Sequence, residues 1–434
     1  MFNKSITSGA IALAGSRIAM LVLPFFITPL LIASLGVGEF GLWMAMLSLV
    51  GVISFADGGV SNSLITLAAG ASAVGRDKRL HQLMTTSLVI IVPVAITIAV
   101  AGSISAPYIP WGRLLQMPEH QTVESVSGVF ILMLVSYAGD MISNIVIRFR
   151  TGLQDVAFPS IMEAVVKYVS LPVVIFLIVY GHSALWLAAS IYLLPSMLKL
   201  LFCISFLFRS RYLPLEPSRV SRGVATILIK YGFVFMVINV ANALAVSSDQ
   251  FMIGHFISTA EVTPYTIMQR IFTLPYVGIN FILLATWPAL AAAAARSDGV
   301  WLRRAAYRST LFVGGTAICS SLILATFHEA FIEIWLRRPL AVSEHLVIGM
   351  AFYSVLLPIV GMLSTVLHAL HVRHVQLYAN VAMVVVNIPT TIILLPQFGS
   401  AGAVYGTCVS YLFCMIIPYI FVLYRERAAG KFGV

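Results

Sequence analysis

Ser247-Ser248-Asp249-Gln250-Phe251-Met252-Ile253-Gly254-His255-Phe256-Ile257-Ser258-Thr259-Ala260-Glu261-Val262-Thr263-Pro264-Tyr265, followed by Gln269-Arg270, reads as a helical hairpin. One apolar run ends near Phe256, a short polar turn carries Glu261, and a second run starts at Tyr265. Asp249 and Arg270 both sit inside apolar runs, about two turns from the same membrane face. A lone charge at that depth is costly, so each must face a partner or water. Either the two pair with each other and fix the hairpin, or they act directly on a transported species.

Working outward, composition sets the class. Of 434 residues, 60% are hydrophobic and only 10% charged, against about 25% charged in soluble domains. This is an integral membrane chain with almost no soluble domain. Apolar stretches of spanning length fall at 9–34, 40–70, 82–106, 123–148, 158–180, 184–208, 227–257, 263–293, 308–328, 345–370, 377–396 and 402–424. They predict an all-α protein of about twelve transmembrane helices. The first stretch is too long for a cleaved leader and reads as a retained helix. Pro24, Pro29, Pro172, Pro195, Pro275, Pro288, Pro389 and Pro418 lie in these stretches, where they serve as bending points or impose static curvature.

Basic residues set the orientation. One set of loops carries Arg76, Lys78, Arg79, Arg148, Arg150, Arg209, Arg211, Arg219, Arg222, Arg296, Arg303, Arg304, Arg308, Arg373, Arg425, Arg427 and Lys431. The other carries only Arg113, Arg337 and Arg338 among several glutamates. The first set is assigned to the cytoplasm, together with both termini. The net charge of +10 then serves orientation and attraction to anionic membrane lipids, with no role in binding nucleic acid. The segment 209–226 is the longest cytoplasmic linker, dividing a six-helix lobe at 1–208 from a second at 227–434.

The halves read as repeats. Leu35-Gly36-Val37-Gly38-Glu39-Phe40-Gly41-Leu42-Trp43 aligns with Ile257 to Tyr265, Trp111-Gly112-Arg113 with Trp335-Leu336-Arg337, and Tyr180-Gly181-His182-Ser183-Ala184 with Phe398-Gly399-Ser400-Ala401-Gly402. Six helices per repeat put both halves into the membrane from the same side, related by an axis along its normal. Two lobes around a central cavity, opening alternately to each side, is the expected architecture.

The chain resembles the Wzx-like polysaccharide flippases of the multidrug/oligosaccharidyl-lipid/polysaccharide exporter superfamily. The resemblance rests on Leu35-Gly36-x-x-Glu39-Phe40-Gly41-Leu42-Trp43, Asp57-Gly58-Gly59-Val60-Ser61-Asn62, Arg150-Thr151-Gly152-Leu153-Gln154 and the central hairpin. It implies a MATE-like fold in a bacterial inner membrane. It also implies translocation of a polyprenyl-pyrophosphate-linked oligosaccharide from the inner to the outer leaflet, for O-antigen or exopolysaccharide assembly. Assembly proteins such as a polysaccharide polymerase are then further partners. No catalysis and no cofactor are expected. The lipid-II flippase relatives are generally longer, by two helices.

Such a cargo needs cations for its pyrophosphate and hydrogen-bonding groups for its sugars. Arg17, Lys167, Lys230 and Arg270 are the candidate phosphate ligands. Arg17 has an alternative partner in Asp57, at similar depth, and Lys230 sits near enough to a helix end to snorkel. Lys167 follows Glu163 by four residues, on one helix face. Lys199 reads as snorkelling to the cytoplasmic face. Asp140 is either a proton site or a partner of Lys167. Asp57, Asp140 and Asp249 are thus the coupling or structural charges. Asn239, Asn242, Asn280 and Asn387 are candidate sugar ligands, with interhelical hydrogen bonding as the competing role. Trp111 and Trp335 read as interfacial anchors.

Several chemistries are disfavoured. His368, His371 and His374 recur every three residues, fan apart and have no carboxylate near, so no metal site is expected. His328-Glu329 lacks the second histidine of a zinc motif, and no phosphate-binding P-loop sequence is present. Cys203, Cys319, Cys408 and Cys414 all lie in apolar runs and read as small core residues. A polymerase or ligase would carry a large outer loop, and the loops here are short. A cation-coupled small-molecule or drug antiporter of the same superfamily remains the competing function. The absence of an acid in the first stretch disfavours it and Asp57 favours it.

Overall fold

The computed structural model describes residues 2–53, 56–117, 121–153, 155, 157–180, 184–209, 220–296, 298–370 and 372–428. Within these, the side chains of Arg17, Asn239 and Asn242, among others, lie outside the description. The described residues form helices and no strand: α1 (Phe2–Ile53), α2 (Val60–Ala73), α3 (Asp77–Ser105), α4 (Trp111–Leu114), α5 (Val123–Gly152), α6 (Ala157–Tyr180) and α7 (Ala184–Arg209). They continue with α8 (Arg222–Phe256), α9 (Thr259–Ala295), α10 (Gly299–Leu336), α11 (Glu344–Ala369), α12 (Arg373–Phe398), α13 (Ala401–Ser410) and α14 (Ile417–Ala428). A π turn over Tyr411–Ile416 joins the last two. Among the described residues, eight segments are long and apolar enough to cross a membrane. α6 and the α8–α9 pair are also of spanning length, at 24, 35 and 37 residues and about 1.5 Å per residue. The chain is an all-α, polytopic membrane protein.

Two compact units divide the chain at 1–240 and 241–434. The expected linker at 209–226 lies largely outside the described residues. In the first unit α5 is the hub, packing against α1, α2, α3 and α7. Leu64, Leu83, Met84, Ile145, Val146 and Phe149 form part of its core. The break between the first two sequence stretches is a kink at Gly36, φ +78°, a conformation open to glycine.

The stretch 40–70 is not one continuous helix. It is interrupted after Ile53, and Asp57 lies in a turn. Gly58 and Gly59 have φ of +60° and +70°, and Asp57 Oδ1 accepts the Gly59 N–H at 2.9 Å. The cause is local: an Asp-Gly-Gly run offers its own side-chain acceptor and two residues without Cβ strain. Gly59 and Gly232 of α8 meet backbone to backbone, and Ser63 Oγ donates to the Leu228 carbonyl at 3.2 Å. Broken backbone at membrane depth is tolerated where protein covers it.

At the far end of α5, Arg150 pairs with Asp155, and its guanidinium lies 4.6 and 4.7 Å from the rings of Phe158 and Phe206. Asp155 Oδ1 also accepts the Phe158 N–H, at 3.1 Å. A planar cation suits this double stack and a lysine does not. Arg150→Ala is therefore expected to destabilise the protein by about 1–3 kcal/mol, and Arg150→Lys by nearly as much. Thermal unfolding in detergent reads both.

In the second unit α11 packs against α9, α10 and α13, and α12 against α13. Gly402, Gly406 and Ser410 recur every four residues on α13 and make a small-residue face. A Cβ on Gly402 would lie 2.5 Å from the Leu394 carbonyl atoms, and one on Gly406 2.4 Å from Thr391 Oγ1. That close approach brings the polar residues of α12 and α13 together in the interior.

Trp111 departs from the expected interfacial anchor. It is buried, with its indole N–H 2.9 Å from both the Ala106 carbonyl and Ser127 Oγ, and its ring edge-on to Phe130. The indole finds its acceptors in protein, so the side chain pins the connection between α3 and α5 onto α5.

Candidate functional site

In the second unit the hairpin places one carboxylate in the interior. Asp249 on α8 and Tyr265 on α9 stand equally far from the turn at Ile257, so antiparallel packing brings them face to face. Tyr265 donates its hydroxyl to Asp249 Oδ2 at 2.7 Å. Gln250 Nε2 also donates across the hairpin, to Thr266 Oγ1 at 3.4 Å. Thr407 on α13 also reaches Asp249 Oδ2, at 3.2 Å, and shares its one proton with the Ala403 carbonyl at the same distance. The same hydroxyl accepts from Asn387 Nδ2 of α12 at 2.9 Å.

All four side chains are buried, and Asp249 is 2% exposed. Three buried oxygens of this neighbourhood have no hydrogen-bond partner among the described residues: Asp249 Oδ1, Asn387 Oδ1 and Thr391 Oγ1. Asn387 and Thr391 are one turn apart on the same face of α12. Thr391 lies against Gly406, next to Thr407. Tyr353 and Tyr411 stack nearby with ring centroids 6.0 Å apart, and Tyr411 opens the π turn. Such turns occur often at functional sites. The set is a carboxylate, an amide oxygen and a hydroxyl oxygen, all hard donors. They suit a proton or a small monovalent cation.

Of the two readings of Asp249 and Arg270, the mutual pair is not formed: Tyr265 and Thr407 hold the carboxylate instead. Arg270 is half-buried further along α9. Asn387 lies in the network and faces no open surface.

The first unit gathers the other charges. Lys199 of α7 donates to Asp140 Oδ1 at 2.8 Å and to Asn144 Oδ1 at 3.2 Å, both on α5. This corrects two expectations: Asp140 pairs with Lys199 in place of Lys167, and Lys199 turns inward where snorkelling was expected. A signal for it lies in the spacing along α7. Ser196, Lys199 and Cys203 recur at helical spacing on the side of α7 that meets α5. Ser196 Oγ donates to the Ser136 carbonyl, and Cys203 Sγ lies 3.7 Å from the Ser143 carbonyl. Lys167 on α6 is within electrostatic reach of Glu163, Lys199 and Asp140.

Lys230 on α8 and Asn280 on α9 are exposed. The side chains of Arg17, Asn239, Asn242 and His374, and all of His371, lie outside the described residues. Among the described residues no group of three or more His, Cys, Asp or Glu is placed to hold a metal ion. Thr391 and Thr407 went unnoticed in the sequence, although the Gly402, Gly406, Ser410 stripe marks the packed side of α13.

Comparison with known proteins places this architecture. No curated protein sequence matches significantly. Among solved structures, an inward-facing multidrug resistance MATE family transporter of the MOP superfamily is similar, with a TM-score of 0.77 at 15% identity. The similarity covers 97% of this chain and 100% of that one. An outward-facing MATE transporter gives 0.64 at 16% identity, covering 98% and 96%. A MOP superfamily transporter from Pyrococcus furiosus gives 0.63 at 16% identity, covering 99% and 97%. At such identities the likeness shows the fold. A sequence profile described as "Polysaccharide biosynthesis protein" matches residues 6–294. With two thirds of its length under that profile, the chain belongs to the polysaccharide biosynthesis protein family, and its fold is shared with MATE and MOP superfamily transporters.

Proposed function

We propose that the protein is a flippase. It carries a polyprenyl-pyrophosphate-linked oligosaccharide from the cytoplasmic to the outer leaflet of the bacterial inner membrane. The profile match over residues 6–294 is the observation that carries this reading. The cargo passes intact, so side chains bind and release it without bond-breaking. Alternating exposure of the site to the two leaflets moves it. The arginine-rich loops put both termini in the cytoplasm, where lipid-linked sugars are assembled, and a polysaccharide polymerase takes the product outside.

The driving ion is a proton or a small monovalent cation seated at Asp249. A dry carboxylate with one uncommitted oxygen needs positive charge beside it. A site that binds such an ion in one conformation and releases it in the other shifts the balance between them.

A cation-coupled drug antiporter is the second reading, favoured by the fold shared with multidrug MATE transporters. Purified protein in proteoliposomes separates the two. One arm measures protection of an undecaprenyl-pyrophosphate-linked oligosaccharide from an external glycosidase, and the other measures ethidium efflux. Flipping without efflux supports the flippase; efflux without flipping supports the antiporter.

A further inference from the structure

We infer that Asp140 is a built-in stand-in for the substrate's phosphate, occupying Lys199 until a pyrophosphate displaces it. The inference rests on the flippase reading and names the cation that takes the anionic headgroup in the first unit.

The geometry points the pair inward. Lys199 is nine residues before Phe208 on α7, and Lys167 nine before Phe176 on α6. Both phenylalanines are exposed. Nine residues are two and a half turns, so each lysine lies on the opposite side of its helix from an outward-facing aromatic ring. The two lysines and Asp140 are within electrostatic reach of one another, and Glu163 acts on Lys167. Lipid-facing positions do not hold such a cluster.

The pair is also accessible. The Lys199 side chain is 14% exposed but that of Asp140 is 39% exposed. A pair that only braces two helices is best shielded on both sides. Here the bracing is done beside it, by Gly139 against Ser196 and Met197 and by Ser196 to the Ser136 carbonyl. Lys199 itself is held by one carboxylate oxygen and one amide oxygen, a donor geometry that phosphate oxygens match and exceed in charge. Partly hydrated ion pairs are weak, so an incoming dianion competes for the ammonium and Asp140 swings to water.

The test uses full-length protein in nanodiscs and measures binding of undecaprenyl pyrophosphate. Inorganic pyrophosphate and phosphatidylglycerol serve as separate arms to tell the lipid-linked headgroup from a free phosphate and from bulk anionic lipid. Asp140→Asn removes the competing anion and is expected to tighten binding. Lys199→Gln removes the ligand and is expected to weaken it about tenfold. Lys199→Arg is expected to restore it. Opposite shifts from the two halves of one ion pair support the inference; shifts in the same direction, or none, overturn it. If Lys199→Gln does not accumulate, Asp140→Asn decides alone, and unchanged or weaker binding overturns the proposal. Wild-type protein that binds no undecaprenyl pyrophosphate sinks the flippase reading along with it. Wild-type binding without the opposed shifts removes only this role of Asp140 and Lys199.

Discussion

Asp249→Asn is expected to leave a folded, abundant protein whose transport falls about tenfold or more. The amide is the same shape as the carboxylate, and its oxygen still accepts from Tyr265. The α8–α9 hairpin and the contact with α13 therefore survive. What disappears is the negative charge that the proposed ion coupling requires. A hydrogen bond or ion contact to a charged group is worth about 1.5–3 kcal/mol, so transport at limiting ion gradient falls about tenfold or more. Thermal stability moves the other way or stays level, because a buried charge held by two neutral hydroxyls is a burden on the fold. Complementation of surface polysaccharide assembly, with protein level and apparent Tm measured alongside, checks both halves. Normal transport by the variant removes Asp249 from the coupling site.

The second large effect is expected at Gly59 and Gly232. A Cβ on Gly59 would sit 2.1 Å from the Gly232 carbonyl oxygen, and one on Gly232 2.6 Å from that of Gly58. Both obstacles are backbone, so no side chain can swing away. Gly59 also has φ +70°, which alone costs an alanine about 1–2 kcal/mol. With overpacking of about 1–3 kcal/mol, Gly59→Ala is expected to lose about 3 kcal/mol or more. Gly232→Ala, at ordinary helical φ, loses less. A control at Gly314 on α10, with open space around it, changes little. Apparent Tm of the three purified variants gives the order. Equal stability of all three would mean that the α2–α8 junction is not closed as described.

The fold class was readable because membrane helices announce themselves by length and apolarity, residue by residue. The interruption at Asp57-Gly58-Gly59 was not read, since a window of twenty residues averages over a short turn. At the sites, the charges were found and their partners mistaken. One of the two readings of Asp249 paired it with Arg270, because opposite charges are the visible pairing in a sequence. Its partners are the uncharged Tyr265 and Thr407, the latter 158 residues away. Asp140 was matched to Lys167 for the same reason. The choice of Lys199 depends on which face of α7 meets α5, and Gly139 decides that by having no side chain. Trp111 misled because an aromatic residue at a membrane boundary usually faces lipid, and only Ser127 and the Ala106 carbonyl draw it inside.

The π turn at Tyr411–Ile416 amounts to one surplus residue between α13 and α14. Everything after it, Tyr419 included, is rotated by about 100° from where an uninterrupted α-helix would put it. Upstream, Thr407 keeps its contact with Asp249 regardless. The turn therefore lets the C-terminal segment be re-aimed by insertion or removal of a single amino acid, without disturbing that contact.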